Sequence, residues 1–284
     1  MLFENYDFSK SKNLKQLPLY CTMSVKAALP SLFPKYVVID DAVCDLASSS
    51  IKSDRSHGRK CDVFGEYLVY LFYGRPAFQW EDKGIRNNIY PACFQIAPQD
   101  IIPRRIFPFD SGAFDGNYYN KPILNYSGEL TDYQLYDNDG SKEIGMPSDQ
   151  IPRLIYTLWE SNVNYYNGAM TVKASENVIT KTLSKFDKEY LAFIDKKAYS
   201  HIKEGGDTRA FTIEYQICGE VSLQNVERII LPNHFKGSQK ATIRKLFYRM
   251  CKKRVKIEYY NHPGSVNGAF EQISALCSDT VVAR

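Results

Sequence analysis

AFTIEYQI, residues 210–217, alternates apolar and polar side chains from Phe211 onward. A strand turns successive residues to opposite faces, so Phe211, Ile213, Tyr215 and Ile217 share one side and Thr212, Glu214 and Gln216 the other. The pattern predicts a strand with one face in the core and one polar face, on which Glu214 stands. A carboxylate in that setting is ordinarily just solvated. Here Arg209 lies five residues earlier, Gln216 shares the face, and a turn at Gly219 ends the strand promptly. A carboxylate held on a sheet face binds sugar hydroxyls or stabilises a cationic sugar centre, because it brings negative charge to where positive charge develops. Glu214 is therefore the candidate catalytic residue.

Working outward, YLVYLF at residues 67–72 is apolar on both faces, which predicts a central strand. It runs into Tyr73-Gly74-Arg75-Pro76, a stiffened turn that places a guanidinium at the sheet edge, where arginine suits phosphate recognition. Further strands are expected at residues 18–23, 90–96, 228–231 and 255–260. Ser24 reads as the N-cap of a short helix that Pro30 and Pro34 curtail. Longer helices are expected at residues 149–162, 179–201 and 238–253. The polar stretch at 48–60 reads as an exposed loop, and 100–122 as a structured loop. Asp137-Asn138-Asp139-Gly140 lacks the glutamate that would complete a calcium loop and reads as a turn. No linker or repeat divides the chain, so the expectation is one α+β domain over residues 1–284.

Composition bounds the function. Of 284 residues, 44% are hydrophobic and 24% charged, an ordinary globular balance. The 21 Tyr and 16 Phe either line a groove that stacks flat rings or fill half-buried sheet faces. No run of apolar residues is long enough for a membrane span, and the opening MLFENYDFSKSKNLKQ lacks the features of a signal peptide. Seven scattered cysteines without a C-x-x-C pair read as reduced thiols in a cytoplasmic protein, with no metal site. The four histidines have no metal spacing either. Charge is uneven. Residues 110–149 carry eight acidic side chains against Lys121 and Lys142, whereas Lys236 to Lys256 holds nine basic side chains and no acidic one. That basic segment, a helix-strand extension from about residue 236, is either a solvated face or a contact for nucleic-acid phosphates.

Three further blocks carry a family resemblance. LYCTMSVKAAL (19–29) resembles the opening motif of ADP-ribosyltransferases of the His-Tyr-Glu type, in which a strand with Leu-Tyr-His-x-Thr precedes a helix. YLFYGRPAF (70–78) with RRIFPFDSGAF (104–114) looks like a group of bacterial ADP-ribosyltransferase-like proteins. Glu214 followed by GEVSLQNVERIILP (219–232) resembles the end of that domain. The order of elements is similar to the DarT-like group, which modifies nucleic acids, and the blocks span roughly residues 17 to 235.

The resemblance implies an ADP-ribosyltransferase-like split sheet with flanking helices, and NAD+ as substrate with no metal. Glu214 matches the glutamate that holds a ribose hydroxyl and stabilises the oxocarbenium-like state as nicotinamide leaves. Tyr73 is the candidate for the ring that stacks on nicotinamide, with Phe78 and Tyr70 as alternatives. Arg75 becomes a phosphate or substrate contact, Asp110 and Ser111 line the pocket, and Arg209 joins the cofactor-binding set. Cys21 stands where the family has its histidine, and Met23 where it has threonine; a thiol poorly replaces an imidazole that bonds the adenosine ribose. The implied function is transfer of ADP-ribose to a nucleic acid or protein by a toxin or phage-defence effector with a cognate antitoxin or partner protein. NAD+ hydrolysis, and a non-catalytic nucleic-acid- or protein-binding module on the same fold, are the alternatives.

Overall fold

The computed structural model describes residues 1–24, 44–47, 50–53, 61, 63–77, 91–115, 129–146, 148–168, 183–194, 211–233, 235–261 and 266–282. Twelve strands occur among them: β1 Leu19–Ser24, β2 Cys44–Ala47, β3 Ser50–Ser53, β4 Leu68–Tyr73, β5 Pro91–Ile96, β6 Arg105–Phe107, β7 Tyr136–Asn138, β8 Glu143–Gly145, β9 Glu214–Cys218, β10 Glu220–Ser222, β11 Val226–Pro232 and β12 Lys256–Tyr260. The helices are α1 Ser111–Asp115, α2 Ile151–Trp159, α3 Asn162–Asn167, α4 Lys185–Ile194, α5 Gly237–Cys251 and α6 Val266–Val282. The class is α+β, as the sequence predicts.

Nine strands form one sheet in the order β12-β11-β5-β1-β4-β9-β6-β7-β8, and β10-β3-β2 form a second. Every described pair is antiparallel except β11 and β12, which run parallel on either side of α5. The doubly apolar 67–72 segment becomes β4, the fifth of the nine strands, buried on both faces except at Tyr70. A hairpin joins β7 to β8 at the predicted turn. There the Asn138 side chain accepts from Gly140 N at 2.8 Å, Asp139 accepts from Ser141 N at 2.9 Å, and Gly140 takes φ +86°.

α2 buries Ile151, Leu154, Ile155, Leu158 and Trp159, the i, i+3, i+4, i+7, i+8 stripe of a helix lying on a core. The single helix expected at 149–162 is in fact two. Glu160 takes a left-handed conformation (φ 61°), and Ser161 caps α3 by accepting from Asn164 N at 3.1 Å. Within the stretch expected as an exposed loop, Ser50–Ser53 pairs with both β2 and β10 and buries Ile51. Ile51 stands opposite Val221 of β10, which is also buried, so the strand is seated by a partner distant in sequence, and its own polarity hid it. The 100–122 loop likewise contains β6 and α1. Ser24 is the last residue of β1, paired with Pro91, and the helix expected after it lies outside the described residues.

Tyr165 fastens α3 to the middle of the large sheet. Its hydroxyl donates to Tyr73 O at 2.9 Å and accepts from Ile213 N at 3.0 Å, while Tyr73 N donates to Ile213 O at 2.8 Å. A side chain thus completes the β4–β9 ladder at the point where β9 begins. Next along the chain, Gly74 takes φ +75°, and a Cβ there would meet Leu17 Cδ1 at 2.6 Å and Tyr165 Cε1 at 2.9 Å. Only glycine allows this approach.

Candidate functional site

Glu214 opens β9, with Phe72 of β4 and Phe107 of β6 as its cross-strand partners. Gln216 lies two residues on, hence on the same face, opposite Tyr70 and Arg105. That face is not the solvated surface the alternation predicts. Thr212, Glu214 and Gln216 are all buried, and Glu214 is only 1% exposed.

Over Glu214 and Gln216 the cover comes from residues 108–114. Phe109 is fully buried, its ring stacked on Phe114 at 5.2 Å and tilted against Tyr133 and Tyr190. That anchor sets α1 beside β9. Ser111 N donates to Glu214 Oε2 at 3.2 Å and Ser111 Oγ donates to Glu214 Oε1 at 2.6 Å. Gln216 Nε2 donates to Glu214 Oε1 at 2.9 Å and to Ser111 Oγ at 2.8 Å, closing a three-residue ring of hydrogen bonds.

Burial and the neighbouring Asp110 carboxylate push the Glu214 carboxyl up to about 8; the Ser111 and Gln216 donors oppose that shift and are outweighed. A carboxyl titrating near neutral pH can hold or release a proton under working conditions, and when ionised it presents a charge that water does not screen. The far end of β9 is secured separately. Arg105 forms a two-pronged ion pair with Glu66 (2.8 and 3.0 Å), Arg104 pairs with Asp137, and Arg104 N donates to Gln216 O at 2.7 Å.

Glu214, Ser111 and Asp110 are thus brought together from a separation of about a hundred residues, and Gln216 joins them. Tyr73, Arg75 and Cys21 lie in apolar settings of their own. Tyr73 is fully buried, stacked on Tyr215 at 5.7 Å, and its hydroxyl accepts from Leu17 N at 2.9 Å. Arg75 is enclosed rather than at an open edge: its guanidinium lies 4.2 Å from the Phe211 ring centroid and 5.6 Å from that of Tyr166. Cys21 is buried in β1 opposite Phe94, on the far side of β4 from Glu214. Tyr70 is half-buried opposite Gln216; Arg209 and Phe78 lie outside the described residues.

Gln216 carries its signal in the period-2 pattern. Tyr165 carries none, because nothing local marks a tyrosine that completes a distant ladder. A cavity of about 320 Å³ lies elsewhere, between the N-terminal segment and β8, lined by Phe3, Tyr6, Phe8 and Met146 among others. Among the described residues no group of three His, Cys, Asp or Glu side chains is placed to hold a metal, and no helix is long and apolar enough to cross a membrane. Comparison with protein-family models, with curated proteins and with solved structures found no match.

Proposed function

We propose that this chain cleaves NAD+ at the nicotinamide–ribose bond and transfers ADP-ribose to a macromolecular acceptor, with Glu214 at the reacting centre. The observation that carries this reading is the buried Glu214 carboxyl, held by Ser111 and Gln216 and raised by burial beside Asp110. The position of its strand next to β4, which bears the YLFYGRP segment, supports the ADP-ribosyltransferase-like arrangement.

In the reaction the C–N bond breaks, its electron pair leaves with nicotinamide, and positive charge develops on the ribose. The ionised Glu214 carboxylate stabilises that charge, and its fixed donors remove the need to reorganise during the step. An acceptor nucleophile then forms the new bond to the ribose and gives up its proton. The resemblance to toxins and phage-defence effectors makes a cognate antitoxin the natural partner protein.

The test is incubation with NAD+ labelled on the adenine side, together with RNA, DNA and cell lysate. Release of nicotinamide and a labelled macromolecule are expected. Free labelled ADP-ribose alone would assign NAD+ hydrolysis instead, and no nicotinamide under any condition would end the enzymatic reading. A second reading, a non-catalytic binding module on the same fold, is favoured by Cys21 at the expected histidine position and by the enclosure of Tyr73 and Arg75. NAD+ binding measured by calorimetry separates the two.

A further inference from the structure

We infer that the outer face of α5, with the loop that follows it, binds single-stranded nucleic acid. α5 commits Ile243, Phe247 and Cys251 to the core, Phe247 meeting Phe94 edge-on at 6.0 Å, and half-buries Leu246 and Met250 against it. That orientation turns Arg244, Lys245 and Arg249 outward, and all three are exposed. Lys252 ends the helix in a left-handed conformation (φ 54°), and Lys252, Lys253 and Arg254 carry the exposed charge round towards β12. Among the described residues, none of these six cations pairs with a carboxylate; Lys256, paired with Glu258 at 2.8 Å, is the exception along this segment.

Complementing the helix dipole explains cations in the last turn of α5 only. Lys236 stands exposed at its N-terminal end, where positive charge is unfavourable; Lys240, one turn on, is held by Asn233 Oδ1 at 2.6 Å and lies 4.4 Å from the Tyr259 ring centroid. Tyr248 sits among the cations, 55% exposed, one helical turn from Arg244 and from Lys252. An exposed ring flanked by phosphate-binding side chains is the arrangement that stacks an unpaired base while holding its backbone. A lipid surface fits less well: the apolar stripe that an interfacial helix would insert is already buried in the core.

The test is fluorescence anisotropy of the full chain with labelled oligonucleotides of about twenty nucleotides, longer than the footprint of one such platform. Neutralising four single-strand phosphates predicts a roughly 50-fold loss of affinity from about 50 to about 200 mM salt. The triple variant Arg244→Glu, Lys245→Glu, Arg249→Glu is expected to bind more than about tenfold more weakly at an unchanged melting temperature. Tyr248→Ala should weaken single-strand binding by about fivefold or more and leave duplex binding as it was.

Salt-insensitive binding, wild-type affinity in the triple variant, or equal loss on duplex with Tyr248→Ala would each overturn the inference. So would capture by phosphatidylserine–phosphatidylcholine vesicles, or equal competition by polyglutamate. Because Glu214→Gln leaves this face intact, its binding should match wild type, so the surface stands or falls separately from NAD+ cleavage.

Discussion

Ser111 engages both carboxylate oxygens of Glu214, one through its hydroxyl and one through its backbone amide. A residue at the start of a five-residue helix thereby fixes the rotamer of a carboxyl on a strand about a hundred positions later. Disturbing either partner should be felt first in chemistry and only then in stability.

Glu214→Gln keeps the shape and removes the charge. NAD+ cleavage is expected to fall by about 100-fold or more, the scale of losing an electrostatic contact made to the transition state. Wild-type turnover in the folded variant, measured by nicotinamide release, would clear Glu214 of the catalytic role.

The raised carboxyl also sets a pH dependence of stability. Glu214 moves from an ordinary value of 4.5 to about 8, so the native state keeps a proton that the unfolded chain releases between those values. That contribution is fully present below about pH 4.5 and is lost as pH rises through about 8. Thermal melts from about pH 5 to about pH 9 should show wild-type stability declining and Glu214→Gln declining much less. Parallel curves would mean the carboxyl titrates normally.

Turnover should follow the opposite course. If the ionised carboxylate stabilises the ribose cation, kcat/KM rises about tenfold per pH unit and levels off above about 8. A rate that falls across the same range would instead give Glu214 the part of a proton donor.

Tyr165→Phe deletes the hydroxyl that donates to Tyr73 O and accepts from Ile213 N inside the sheet. A loss of about 2–4 kcal/mol is expected from denaturant unfolding, since two buried backbone groups each lose a hydrogen bond. Gly74→Ala forces a methyl against Leu17 and Tyr165 in a left-handed conformation, and is expected to cost about 2–4 kcal/mol by the same measurement. A neutral result for either would place the strain elsewhere.

Periodicity found the strand that bears Glu214, although β9 starts only at Glu214 and not at residue 210, and it misjudged the strand's surroundings. Alternation reports which side chains are polar, whereas burial depends on what arrives from elsewhere; the cover over Glu214 and Gln216 comes from the segment around Phe109 and Ser111. The apolar 67–72 run was legible because a strand buried on both faces needs no distant partner to explain it. α6 was not expected, although Ala269, Ile273, Cys277 and Val281 recur every fourth residue and are all buried. The serines and threonine between them dilute the stripe. Arg75 shows the limit of turn chemistry: Gly-Arg-Pro does place the arginine just after the strand, yet Phe211 and Tyr166 close over it.

The large sheet is open, and its outermost strands are β8 and β12 among the described residues. An open rim of unpaired backbone groups invites another copy to add itself as the next strand. β8 offers only three exposed residues, ending in Gly145 with φ +89°. β12 places Lys256 and Glu258 along its rim, so a copy docking there in register must bury their charges. Both rims are thereby poor templates on which another copy could add a strand.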